Sequence, residues 1–121
     1  MTTDQYLDLL DETDPALRQG AYIAAVMGAM PPMTQQQRLD AAIAVVRRYH
    51  PDAARFDVAH LEFADDHRGF ILQDVTLHDG TVLVEDEQIM PVYNATWPLL
   101  QAITWDGVIP GGNTYVTIEV A

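Results

Sequence analysis

Four histidines, His50, His60, His67 and His78, share the middle of the chain with Asp57, Glu62, Asp65, Asp66, Asp74 and Asp79. Imidazole nitrogen and carboxylate oxygen are the donors that zinc and harder divalent cations take, so a metal would be sought here first. The spacing argues against one. No His-x-x-x-His or His-Glu-x-x-His stretch exists to hold two ligands on one helix face. His60 and Glu62 project from the same side of a strand, and His78 reaches them only if the strand pairing slips. No metal ligand set and no cofactor is expected.

Asp65-Asp66-His67 has the residue types of an acid–base pair, an imidazole oriented by a carboxylate. Turns select aspartate for backbone reasons, however, and a solvated hairpin tip accounts for the tripeptide. Nucleophiles are scarce: the chain has no cysteine and no serine, and no threonine stands in a nucleophile elbow. The glycines from Gly107 to Gly112 lack a Walker lysine and a following helix, so they are not expected to cradle phosphate. No catalytic residue is assigned, and a non-enzymatic protein is expected.

Charge is the larger signal. The 121 residues carry 18 acids against six basic residues, all arginine, for a net charge of −12. The first fourteen residues hold Asp4, Asp8, Asp11, Glu12 and Asp14 without a base. Arg18, Arg38, Arg47 and Arg48 face Asp40 alone between residues 15 and 51, and ten acids face Arg55 and Arg68 between 52 and 87. A phosphate-neutralising surface needs clustered Lys and Arg, so direct nucleic-acid binding is excluded, as is an anionic membrane surface. The same field speeds approach to a basic protein. Carboxylates at i and i+4 on a helix stand about 6 Å apart, comparable to successive backbone phosphates, so such a stripe can imitate a nucleic acid. A high-GC coding bias accounts for missing lysine as well, in line with the 15 alanines. A salt-rich cytoplasm favours acid too, but five methionines and eight glutamines do not suit it.

The elements that must carry these residues read as helices first and strands after. Thr3 is the expected N-cap of a helix from Asp4 to Glu12, with Tyr6, Leu9 and Leu10 inward and Asp4, Asp8 and Asp11 on the wet face. Asp14-Pro15 opens a second helix running to Met30, which Pro31-Pro32 ends. Thr34 and Gln37 have capping-box spacing, and Leu39, Ala42, Ile43, Val46 and Tyr49 form a helical stripe that stops at His50-Pro51. The period then changes to two: strands are expected over Phe56–Phe63, Phe70–His78 and Thr81–Glu85, the last two joined by a two-residue Asp79-Gly80 turn. That register puts Leu61, Phe63, Phe70, Leu72 and Leu83 on one face, and Val58, Ile71, Val75, Leu77, Val82 and Val84 on the other. Asn94 would cap a short helix, Ala95–Ile103, and Thr114–Val120 a final strand.

The expected fold is therefore α+β. Three N-terminal helices pack on a mainly antiparallel sheet of about four strands, with a short helix before the last strand. One domain spans residues 1–121, helical to 50 and mainly strand from 55, and its 49% hydrophobic content supplies a core. The longest apolar run, Ala21–Met30, is too short to cross a membrane, and Met1-Thr2-Thr3-Asp4 lacks the basic start of a secretory signal; a cytoplasmic protein is expected. The expected function is an acidic binding module for a basic, nucleic-acid-handling protein. Its contact residues would be Asp4, Asp8, Asp11, Glu12, Asp65, Asp66, Glu85, Asp86 and Glu87. Immunity proteins against toxic nucleases and phage-borne DNA mimics that inhibit host defence are the trades that suit such a molecule. Two alternatives remain. One is a small-molecule-binding or catalytic domain with a pocket of Tyr93, Trp97, Trp105 and Tyr115. The other is a self-assembling structural subunit, using surface methionines such as Met27, Met30 and Met33.

Overall fold

A computed structural model describes residues 2–12, 33–62, 68–100, 103 and 114–120. Among these, three helices and a four-stranded antiparallel sheet make an α+β arrangement. The order along the chain is α1 (Thr3–Glu12), α2 (Gln35–Tyr49), β1 (Ala53–Glu62), β2 (Arg68–Leu77), β3 (Val82–Leu83), α3 (Asp86–Leu100) and β4 (Thr114–Glu119). The expected helix from Pro15 to Met30 lies outside the described residues.

Helix α1 starts one residue earlier than expected. Thr2 rather than Thr3 is its cap, because Gln5 stands three positions after Thr2 and closes a reciprocal box. Gln5 N donates to Thr2 Oγ1 at 3.2 Å, and Thr2 N donates to Gln5 Oε1 at 2.8 Å. Tyr6 and Leu10 are buried, Leu7 and Leu9 half-buried, and Asp4, Asp8 and Asp11 exposed. Helix α2 has the expected box, with Gln37 N on Thr34 Oγ1 at 3.1 Å and Thr34 N on Gln37 Oε1 at 2.8 Å. Its buried stripe is Ala41, Ala42, Val45 and Val46, so the face is turned slightly from the expected one; Leu39, Ile43 and Tyr49 flank it.

The sheet order is β3-β2-β1-β4: a meander followed by a return through α3 to the far edge. Register explains a second correction. Phe56 pairs with Val75 and Asp57 with Asp74, but Val58 pairs with Leu72, so Gln73 is an extra residue in β2. The bulge reverses the inside–outside order of the strand beyond it. Phe56, Val58, Leu72 and Val75 consequently all join the helical core, and the length of the β2–β3 loop brings Leu83 opposite Val75, where simple alternation placed Val58 and Val75 opposite Leu72 and Leu83. The opposite face carries Arg55, Asp57 and Ala59 of β1, Ile71, Asp74 and Thr76 of β2, Val82 of β3, and Tyr115, Thr117 and Glu119 of β4.

The β2–β3 loop is three residues, His78–Gly80, rather than two. Leu77 N donates to Thr81 O at 2.8 Å and Gly80 N to Leu77 O at 3.0 Å. Gly80 has φ 89°, left-handed backbone that glycine adopts without strain. Strand β3 is shorter than the expected Thr81–Glu85, because the Glu85 carbonyl already accepts Gln88 N and Ile89 N, opening a helix.

That helix, α3, is the largest departure from expectation. It runs fifteen residues from Asp86 to Leu100 and contains Pro91 and Pro98, replacing the short Ala95–Ile103 helix and its Asn94 cap. Each proline deletes one ladder bond and pushes against the carbonyl four residues back. At each, the carbonyl three residues back is held from outside. Gln88 O accepts His50 Nε2–H at 2.9 Å, and Ala95 O accepts the buried Tyr6 hydroxyl of α1. Burial, with Tyr49 nearby, pushes the Tyr6 phenol well above its ordinary pKa, so it remains a donor. Thr96 Oγ1 also bonds back to Val92 O at 2.7 Å. Tertiary contacts thus anchor the helix beside each proline.

Candidate functional site

The acids expected to form a binding surface are placed by the helices. On α1, Tyr6 and Leu10 take the inner side, which leaves Asp4, Asp8 and Asp11 in water. Glu12 is the last residue of that helix, and its side chain lies outside the description, as do Asp65 and Asp66. Glu85, Asp86 and Glu87 are all exposed at the start of α3. Asp86 and Glu87 occupy the first turn, where acid also complements the helix dipole, so these two have a local structural role as well.

The last turn of α2 and its cap touch both acidic sets. Arg48 Nη2 meets Asp11 Oδ2 at 2.8 Å, and His50 beyond it bonds the carbonyl of Gln88. Arg48 and Asp11 expose 44% and 51% of their side chains, so the ion pair neutralises one acid of the stripe without burying it. Leu10, Asp11, Arg48 and Tyr49 line a shallow notch of about 140 Å³ at this junction.

Sequence reasoning did not assign Asp52, Asp79, Val82, Val84 or Met90 to a binding surface. Asp52 and Asp79 are exposed and joined through His78, whose Nδ1 lies 2.8 Å from the Asp52 carbonyl. Hydrogen bonds from Thr81 hold the Asp79 carboxyl below its ordinary pKa. Val82, Val84 and Met90 expose 51%, 57% and 43% of their surface on either side of the Glu85–Glu87 triplet. Asp79 was read as a turn residue and a candidate metal donor, not as part of an exposed acidic surface. The valines were hidden by the expectation of a full-length strand.

Other candidates are not brought together. Tyr93 packs against the helical core and Trp97 is half-buried one turn on, whereas Tyr115 is 61% exposed on the opposite face of the sheet. Trp105 lies outside the described residues, as do His67, Gly107, Gly112 and the Met27–Met30 segment. His50 and His78 are engaged with backbone carbonyls, and the side chain of His60 is not described. Among the described residues, no three of histidine, aspartate and glutamate converge as metal ligands.

Two acids from the middle of the chain do meet. Asp57 and Asp74 are directly opposed across β1 and β2, and Thr117 of β4, opposite Asp57, donates its hydroxyl to Asp57 Oδ1. Burial raises the Asp74 pKa to about 6, assisted by the charge of Asp57 and a hydrogen bond with it, and opposed by Arg55. Asp74 Oδ1 is shut off from water without a hydrogen-bond partner of its own. Only the strand register could have revealed this pair.

Among the described residues, no helix is long and apolar enough to cross a membrane. Comparison with protein-family models, curated proteins and solved structures returns no match for this chain.

Proposed function

We propose that the chain is a non-enzymatic acidic module that occupies a basic, nucleic-acid-binding surface of a partner protein, as an inhibitor or immunity protein does. The observation that carries this reading is the exposure of Asp4, Asp8, Asp11, Glu85, Asp86 and Glu87 on a chain of net charge −12 with no lysine. Glu12, Asp65 and Asp66 join the surface on their sequence positions. Such a field steers a basic partner and repels nucleic acid. Val82, Val84 and Met90 add apolar area beside the acid triplet, which suits a protein partner better than a mobile counterion cloud.

Capture of partners from a native lysate tests the reading, with elution stepped from about 0.1 to about 1 M salt as the screening length falls from about 10 to about 3 Å. A basic, nucleic-acid-handling protein that salt releases and added DNA displaces is the expected result. A column that retains no such protein contradicts it. A second reading, a small-molecule-binding or catalytic domain, draws on a single observation, the half-buried Asp74 carboxyl with its raised pKa. That carboxyl stands on a sheet face rather than in a cleft of aromatic residues, which is why the first reading is preferred.

A further inference from the structure

The Asp57–Asp74 pair is separate from the helix-end acids and has a geometry of its own. Directly opposed residues in a sheet have Cβ atoms about 5 Å apart, and like charges in that position oppose the pairing. Yet the register runs Asp74, Asp57, Thr117 across three adjacent strands. Thr117 Oγ1 donates to one oxygen of Asp57. Ionised carboxylates can only accept, so two of them opposed across a strand pair are better accommodated with a proton on one. Asp74 Oδ1 is removed from water with no partner, which disfavours charge on that side of the pair. The bulge at Gln73 falls at this rung, where an irregularity of the ladder re-aims a side chain.

The groups that share this face, among the described residues, are Arg55 of β1, Ile71 and Thr76 of β2, Val82 of β3, and Tyr115 and Glu119 of β4. Arg55 is the one base among them, and its charge favours ionised Asp74. Glu119 is directly opposite Arg55 on β4 and counters that field. The described helices pack on the other side, through the core that holds Phe56, Val58, Leu72 and Val75.

We propose that Asp57 and Asp74 hold one proton between them in the folded protein, and that this proton is a latch across β2, β1 and β4. With it, the chain Asp74–Asp57–Thr117 ties three strands along the outer face. Without it, two negative charges confront each other on adjacent strands and the ladder loosens. The protein is therefore stiffest in this region on the acid side of neutrality. The device is independent of any partner, so it stands or falls apart from the binding reading.

The sign follows from the raised Asp74 pKa. The protonated state is the one the fold prefers, so the latch contributes fully below the ordinary aspartate pKa of about 4. It is lost as the pH rises through about 6. The test is a site-resolved carboxyl titration by carbon NMR on the full chain. In the wild type Asp74 should titrate near 6, and in Asp57→Asn, where the facing charge is gone but burial remains, its midpoint should fall part of the way toward the ordinary value of about 4. A wild-type Asp74 already near 4, or a midpoint that Asp57→Asn leaves in place, overturns the proposal. Thermal melts of Asp74→Asn give a second readout. An amide keeps a donor at every pH, so the variant should lose the wild type's extra loss of Tm between pH 5 and 7.5. A variant with the same loss as the wild type also overturns it.

Discussion

The acids of this chain fall into two populations. At the helix ends, Asp4, Asp8, Asp11 and Glu85–Glu87 stand in water, and Arg48, which pairs with Asp11, is itself half-exposed. On the sheet, Asp57 and Asp74 are half-buried, face each other, and engage Thr117. The same functional group thus meets opposite conditions. In water its charge is cheap, is felt at a distance of a Debye length, and is available to a partner. Between strands it is expensive, and burial beside Asp57 raises the pKa of Asp74. Net charge alone treats both sets as one reservoir; burial divides them into an exposed set and a half-buried one.

The largest effect that would separate the two sets is on association. Asp4→Lys with Asp8→Lys should slow binding to a basic partner at least tenfold at low salt, with Tm unchanged to within about 2 °C. Stopped-flow rates at two ionic strengths check this, and an unchanged rate would break the assignment of the helix ends. Next in size is the support beneath the surface. Tyr6→Phe strips the buried Ala95 carbonyl of its external donor beside Pro98 and should cost about 1–3 kcal/mol in denaturant unfolding.

The pH dependence sharpens the comparison, because Asp74 on β2 and Asp79 in the β2–β3 loop titrate with opposite sign. Asp74, raised to about 6, should contribute about 1 kcal/mol after solvent screening, present on the acid side and lost as pH rises past 6. Asp79, held low by Thr81, stabilises above its unfolded pKa and loses that contribution as pH falls. Unfolding of Asp74→Asn and Asp79→Asn across about pH 2–8 should flatten opposite limbs of the profile, the Asp79 limb lying below about pH 4. The smallest effect is at the ion pair: a double-mutant cycle on Asp11→Ala and Arg48→Ala should give a coupling of about 0.5 kcal/mol or less, shrinking with salt.

Elements whose signals are local were readable from the chain. Helix α2 carries its own start in Thr34 and Gln37 and its own stop in His50-Pro51, and the observed bounds follow both. The wet face of α1 and the inward Ile118 and Val120 of the last strand follow from simple periodicity. Helix α3 was obscured because Pro91 and Pro98 are breakers by any local rule. The donors that anchor the helix beside them, His50 and Tyr6, lie 38 and 89 residues from the carbonyls they hold, Gln88 and Ala95. The sheet faces were misjudged for a similar reason: one extra residue, Gln73, resets the parity, and nothing in Ile71–Val75 announces it. Of the candidate site, the exposure of individual acids was legible. The junction at Arg48 and His50 that touches both sets was not, since it depends on helix packing.

The central claim is that the helix-end acids meet a partner while the sheet pair does not. Three baits run side by side on one native lysate test it most directly: wild type, a variant with Asp4, Asp8, Asp86 and Glu87 all changed to Lys, and Asp74→Asn. The account predicts a basic, salt-released protein on the wild type and on Asp74→Asn, and none on the reversed variant. Equal retention by the reversed variant, or its loss from Asp74→Asn alone, would contradict it.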